Sequence, residues 1–113
     1  MAADRGRTSK YKRILLKLSG EAFQNRENGL SIDPEITTGI ATRVQSVAAM
    51  GVQVAVVVGG GNIFRGLSAE TRGIDRNAGD YMGMLSTIIN ALALQNALEQ
   101  IGLETRVQTA IPM

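Results

Sequence analysis

The sequence predicts an α/β fold built on a parallel sheet, and three observations carry that expectation. Two short runs, Arg13 to Leu18 and Val52 to Val58, are almost wholly apolar and are followed at once by Ser19-Gly20 and by three glycines. Two longer segments place apolar residues at helical spacing. These segment types alternate as β-α-β-α-β, an order that implies parallel strands joined by crossovers.

Taken in order, Arg13-Ile-Leu-Leu-Lys-Leu-Ser-Gly20 reads as a buried strand stopped by glycine. Residues 21–32, with Gln24, Asn25, Arg26, Asn28, Gly29 and Ser31, read as a polar loop, and the acids of 21–35 as solvated. Asp33-Pro34 is a helix start, because Asp33 caps free N–H groups and proline suits the first helical position. Ile36, Ile40, Val44, Val47 and Ala48 then define one apolar face, and Gly51 ends the helix. Val52 to Val58 is the β-branched run of a parallel strand covered on both faces. After a variable stretch over 66–79, Asp80 opens a helix to about Ile101 that Gly102 closes. Its expected apolar face is Met84, Leu85, Ile88, Ile89, Leu92 and Ala93, extended by Leu94 and Leu98. Thr105 to Ala110 reads as a third strand. Three parallel strands cover their faces poorly, so the chain reads as part of a longer domain.

Composition narrows the chemistry. The 113 residues contain no cysteine and no histidine. Disulfide scaffolds, thiolate sites, histidine bases and histidine-ligated metals are thereby excluded from these residues. The net charge is +2, but it is unevenly distributed. Residues 1–17 hold six Lys/Arg against Asp4, whereas residues 18–113 hold six against nine acids. The basic excess belongs to the N-terminal tail, residues 1–10, whose short length and polar content read as solvated disorder; a nucleic-acid-binding tail is the competing reading of the same charge. No apolar run reaches the roughly 18 residues of a membrane span, and the N-terminus has no signal-like apolar stretch, so a cytoplasmic protein is expected.

Three features remain as candidates for function. The first is a strand emptying into Gly59-Gly60-Gly61-Asn62, with Arg65 close behind. Ligands of open α/β sheets bind at the carboxyl ends of strands, and glycines there let backbone N–H groups approach a phosphate. Arg65 adds a fork of donors suited to phosphate. Neither common nucleotide fingerprint is satisfied. Gly61 and Gly66 have P-loop spacing but Leu67 follows, and the last glycine of a dinucleotide motif would fall on Phe64. The second is Lys17, set between Leu16 and Leu18, which must snorkel, pair or meet an anion. Ser19 and Gly20 follow it. Parallel strands would bring 17–20 and 59–61 to one sheet edge, as two phosphorylated ligands exchanging a phosphate would require. The third is Asp80, 19 residues beyond Gly61, which suits either a helix cap or a ribose hydroxyl. Met82 and Met84 read as core or pocket wall. Phosphoryl transfer fits this inventory because it relies on positioning and charge neutralisation, without a histidine base.

Tyr11-Lys12-Arg13-Ile14-Leu15-Leu16-Lys17-Leu18-Ser19-Gly20-Glu21, Val57-Val58-Gly59-Gly60-Gly61-Asn62-Ile63-Phe64-Arg65-Gly66 and Gly79-Asp80-Tyr81-Met82-Gly83-Met84-Leu85 together closely resemble the bacterial UMP kinases of the amino acid kinase superfamily. The first two segments are shared more loosely with carbamate, glutamate, acetylglutamate and aspartate kinases; the third is specific to the UMP kinases. The resemblance covers residues 11–113 and implies the N-terminal part of one domain, a three-layer α/β/α fold with a mainly parallel sheet, incomplete in this chain.

It also implies roles. Lys17, Leu18, Ser19 and Gly20 would bind ATP phosphates, joined by Gly61 and Arg65, with Lys17 and Arg65 acting on the transferring phosphate. Gly60 and Asp80 would hold UMP, Asp80 through its ribose. ATP would come with Mg²⁺ held by the phosphates and by no protein ligand. The loop Asn25 to Ser31 falls where the family has a segment tied to activation by GTP. UTP inhibition, a cytoplasmic homohexamer and no nucleic-acid or membrane partner are implied as well. The family runs to about twice this length. The 113 residues alone are therefore expected to be inactive and only marginally folded. Two other readings compete: a noncatalytic nucleotide-binding half-domain, and a superfamily member acting on a carboxylate or carbamate.

Overall fold

The computed structural model describes residues 10–63 and 73–109. Arg65 and nearly all of the expected N-terminal tail lie outside the described residues. Two strands, β1 (Arg13–Leu18) and β2 (Gln53–Val58), pair in parallel with Leu16 opposite Val56 and Leu18 opposite Val58. Helix α1 (Pro34–Ala48) connects them, and a long helix α2 (Arg76–Gln100) follows. The α/β class and the parallel pairing are those expected from the sequence.

Strand periodicity decides where the core forms. Along both strands exposed and half-buried residues alternate. The inner set, Leu16, Leu18, Val54, Val56 and Val58, packs on Phe23, Ala41, Val44, Leu94, Ala97 and Leu98. The outer set holds Leu15, 68% exposed, and Val57, 50% exposed. The expectation that β2 is covered on both faces is thus corrected. Both helices contribute to the core on one side, so the described residues form two layers, and the uniform Val run conceals a bare outer face. The expected third strand is corrected too: residues 103–109 are irregular, and Ala110 lies outside the described residues.

Helix α1 begins as its sequence dictates. The Asp33 carboxylate accepts from the backbone N–H groups of Glu35 (2.7 Å) and Ile36 (3.2 Å), and Pro34 occupies the first turn, where no donor is missed. Its buried residues are Thr37, Ala41 and Val44, with Ile40 at the margin of the core. The chain leaves the helix through Gly51 at φ 84°, a left-handed conformation that costs side-chain-bearing residues about 1–2 kcal/mol.

The segment expected to be a polar loop has a core residue inside it. A 3₁₀ turn, Gly20–Phe23, drives Phe23 to complete burial. The Phe23 carbonyl accepts from Asp33 N–H at 2.7 Å, joining this turn to the start of α1. Between them, Asn25 and Leu30 exchange backbone hydrogen bonds of 2.8 and 3.1 Å. Asn25 and Asn28 both donate to Asp33 Oδ2. Asp33 is therefore buried and fully engaged, a departure from the solvated acids expected there.

Helix α2 starts four residues before the expected position. Asp75 caps it by accepting from Asn77 N–H at 3.1 Å, so Asp80 lies in the second turn and caps nothing. Gly79 sits inside the helix, and reading it as a loop signal misplaced the start. The expected apolar face is also displaced. Ser86, Ile88, Asn90, Leu94, Ala97 and Leu98 are buried, whereas Met84, Leu85, Ile89 and Leu92 are 39–48% exposed. At the far end, Gly102 (φ 85°) closes the helix as expected. The N–H of Leu103 bonds the Leu98 carbonyl and that of Gly102 the Glu99 carbonyl, the paired geometry of a glycine-terminated helix.

Candidate functional site

The parallel register places the ends of β1 and β2 side by side, with Lys17 opposite Val57. The ladder runs one step further, since Gly59 N–H donates to the Leu18 carbonyl at 2.8 Å. Ser19-Gly20 and Gly59-Gly60-Gly61 thereby come together at one sheet edge, as the sequence led us to expect.

The two loops touch closely enough that only glycine fits. A Cβ on Gly20 would overlap Asn62 Oδ1 and lie 2.6 Å from Gly61 N. A Cβ on Gly60 would lie 2.7 Å from Ser86 Cβ and 3.0 Å from Thr87 N. The triglycine is therefore wedged between the end of β1 and the middle of α2. Gly60 is conformationally ordinary, so its need for glycine comes from close approach and not from positive φ. Among the described residues no acceptor bonds the N–H groups of Gly20, Gly60 or Gly61. Unbonded backbone donors gathered at the carboxyl edge of a parallel sheet are chemically suited to phosphate oxygens.

The loop is held from behind by two asparagines. Asn62 and Asn90 pair their side-chain amides, Asn90 Nδ2 donating to Asn62 Oδ1 at 2.6 Å and Asn62 Nδ2 donating to Asn90 Oδ1 at 3.0 Å. Asn90 also donates to the Gly59 carbonyl and Asn62 to the Ser31 carbonyl, each at 2.8 Å. Asn90 is wholly buried. Sequence reasoning passed over it, although a carboxamide inside Ile88-Ile89-Asn90-Ala91-Leu92 is the polar interruption that signals a buried partner.

Lys17 lies on the outer face of β1 and is exposed, beside Leu15 and near Val57. Its ammonium is free of the core, two residues before Ser19. Asp80 is exposed on α2, seven residues and nearly two turns before Thr87, and so on the same helix face about 10 Å nearer the N-terminus. Gly60 meets the helix at Ser86 and Thr87. The inner side of α2 thus changes along its length: Ser86 and Asn90 towards the glycine loop, Leu94, Ala97 and Leu98 in the core. Met82 is half-buried and Met84 exposed. Leu18 packs into the core through its side chain, so only its backbone is offered to the edge. No group of three or more metal-ligating side chains occurs among the described residues. No helix among them is long and apolar enough to cross a membrane.

Asp33, in the neighbouring loop, has its carboxyl held below the ordinary aspartate value. The Asn25 and Asn28 side-chain amides and the Ile36 N–H stabilise the carboxylate, and partial desolvation opposes them. That carboxylate ties the 25–30 turn to α1, and through Asn62 and Ser31 the same loop reaches the triglycine.

Comparison with known proteins agrees with this geometry. The chain is similar in structure to the UMP kinase from Ureaplasma parvum, with a TM-score of 0.80 and 38% identity over 92% of this chain and 45% of that one. It is likewise similar to the UMP kinase from Bacillus anthracis, with a TM-score of 0.70 and 44% identity over 80% of this chain and 36% of that one. The chain thus spans less than half the length of these two proteins. A family model described as the amino acid kinase family matches residues 12–112. On that match, which takes in both strands, both helices and the glycine loops, the chain belongs to the amino acid kinase family.

Proposed function

We propose that this chain supplies the phosphate-binding edge of a nucleoside monophosphate kinase that transfers the γ-phosphate of ATP to UMP. One observation carries the reading: Ser19-Gly20 and Gly59-Gly61 meet at the carboxyl edge with three N–H groups unbonded among the described residues and an exposed Lys17 beside them. Two adjacent donor loops suit two phosphorylated ligands. Similarity to two UMP kinases favours UMP as the acceptor.

In this reading a UMP phosphate oxygen attacks the γ-phosphorus of ATP, and the bond from that phosphorus to the bridging oxygen of ADP breaks. Lys17, Ser19, Gly20 and Gly61 line the ATP side, where fixed donors stabilise charge without reorganising. Lys17 neutralises the transferring group, a task shared with Arg65, which lies outside the described residues. Gly60 offers its N–H to the UMP phosphate and Asp80 accepts from the ribose. Asp80 is available for this because Asp75 caps the helix. Mg²⁺ travels with ATP and lowers its charge, held by the phosphates. Hexameric assembly, control by GTP and UTP, and a cytoplasmic location rest on the family resemblance alone.

The test is UDP formation from UMP and ATP by the protein expressed from its complete gene, with glutamate, aspartate and carbamate as competing acceptors. UMP is expected to be the acceptor, and Lys17→Met to lower turnover by about 100-fold or more with an unchanged fold, since Lys17 is exposed. Phosphorylation of a carboxylate or carbamate instead would move the protein elsewhere in the family. UMP binding without turnover would identify a noncatalytic nucleotide-binding module.

A further inference from the structure

We propose that Asn90, acting with Asn62, is a positioning residue that turns the triglycine loop towards phosphate and so sets the preference for a phosphorylated ligand over its nucleoside. The inference rests on the acceptor reading above. A glycine triplet has little conformational preference of its own, so something outside it must fix which of its groups face the ligand.

The hydrogen bonds identify that agent. Gly59 is used on both sides: its N–H extends the ladder to Leu18, and its carbonyl accepts from Asn90 at 2.8 Å. The Gly60 carbonyl accepts from Ile63 N–H at 3.1 Å. With these two carbonyls engaged, the N–H groups of Gly60 and Gly61 are the triglycine donors left unbonded among the described residues. Asn90 and Asn62 direct all four of their amide hydrogens to protein acceptors, the carbonyls of Gly59 and Ser31 and each other's Oδ1. Reversing either amide would set its oxygen against a backbone carbonyl, so the network admits one arrangement. A fully satisfied network in a buried setting is rigid. No side chain on the triglycine could perform this task, because Gly60 has no room for one.

Neither asparagine needs to touch the ligand. Their effect should therefore appear in how phosphate is distinguished, and much less in how the nucleoside is held near Asp80. The experiment measures UMP and uridine affinity by calorimetry for the protein expressed from its complete gene, alongside Asn90→Leu and Asn62→Ala. Both substitutions are uncharged, so neither repels phosphate directly. Thermal unfolding monitors the fold of each variant.

The unsubstituted protein should bind UMP about tenfold or more tighter than uridine, as bonds from fixed N–H groups to a charged phosphate require. In Asn90→Leu the UMP-to-uridine ratio should fall at least about threefold while uridine affinity changes little. Asn62→Ala should lower the ratio in the same direction, and it decides the matter if Asn90→Leu does not fold. Equal weakening of UMP and uridine, or an unchanged ratio in folded variants, overturns the positioning role and leaves the acceptor reading intact. Absence of any UMP preference in the unsubstituted protein overturns both.

Discussion

Gly60 shows how far a single hydrogen atom matters in this chain. Its missing Cβ lets β2 run out against Ser86 and Thr87, and 2.7–3.0 Å is too close for a methyl group. Gly60→Ala should therefore destabilise by about 1–3 kcal/mol, the cost of overpacking, and weaken UMP binding as the loop lifts from α2. Denaturant unfolding and calorimetry would check both, and an alanine variant of full stability and affinity would contradict the close packing. Asp33 offers a test by pH. Its folded carboxyl titrates below the ordinary value because Asn25, Asn28 and backbone N–H groups favour the charged form. The resulting stabilisation is complete above the unfolded aspartate value of about 4 and is lost as pH falls through the lower folded value. Asn25→Ala should raise the Asp33 titration midpoint and reduce stability near neutral pH, with less effect in strong acid. An NMR titration showing the same Asp33 midpoint in both proteins would refute the link.

At the scale of elements, the short 3₁₀ turn and the middle of α2 organise the molecule more than their sequences suggest. Among the described residues Phe23 is the sole aromatic side chain in the buried cluster, from inside a segment that is mostly polar. Replacing it with alanine should cost about 3–5 kcal/mol, measured by denaturant unfolding, and should loosen the loop that links Asp33 to Asn62. A loss below 1 kcal/mol would mean that the turn does not anchor the core. Helix α2 explains why hydrophobic spacing misled. Met84, Leu85, Ile88, Ile89 and Leu92 make a plausible apolar face by number, yet the helix turns Asn90 inward to bond the Gly59 carbonyl and Ser86 inward against Gly60. A buried polar partner outweighed the apolar stripe, since leaving the Gly59 carbonyl unbonded in that setting would cost about 1–3 kcal/mol.

For the whole molecule the decisive fact is the uncovered outer face of the sheet. Leu15 and Val57 stand exposed there beside Lys17, and parallel sheets ordinarily have both faces covered. The chain spans 45% and 36% of the two UMP kinases it matches. These 113 residues expressed alone should therefore show no ATP-dependent UDP formation, because in the proposed function the glycine edge forms one wall of a site for two nucleotides. Detectable turnover by the isolated chain in a coupled ADP-release assay would disprove this.

The class of fold, both strands, the Asp33-Pro34 helix start, the glycine helix ends and the meeting of Lys17–Gly20 with Gly59–Gly61 at one edge are all legible in the sequence. All of these depend on local chemistry: capping groups, left-handed glycines, and apolar runs short enough to be strands. The sequence could not place the start of α2, because Asp75 and Asp80 are both acceptable caps until the intervening turn is seen to be helical. Which strand face is buried, that Phe23 belongs to the core, and that Asn90 reaches the Gly59 carbonyl 31 residues away emerge from packing between distant segments. Each of those outcomes depends on a partner distant in the chain, and periodicity along one segment carries no record of what another segment will place against it.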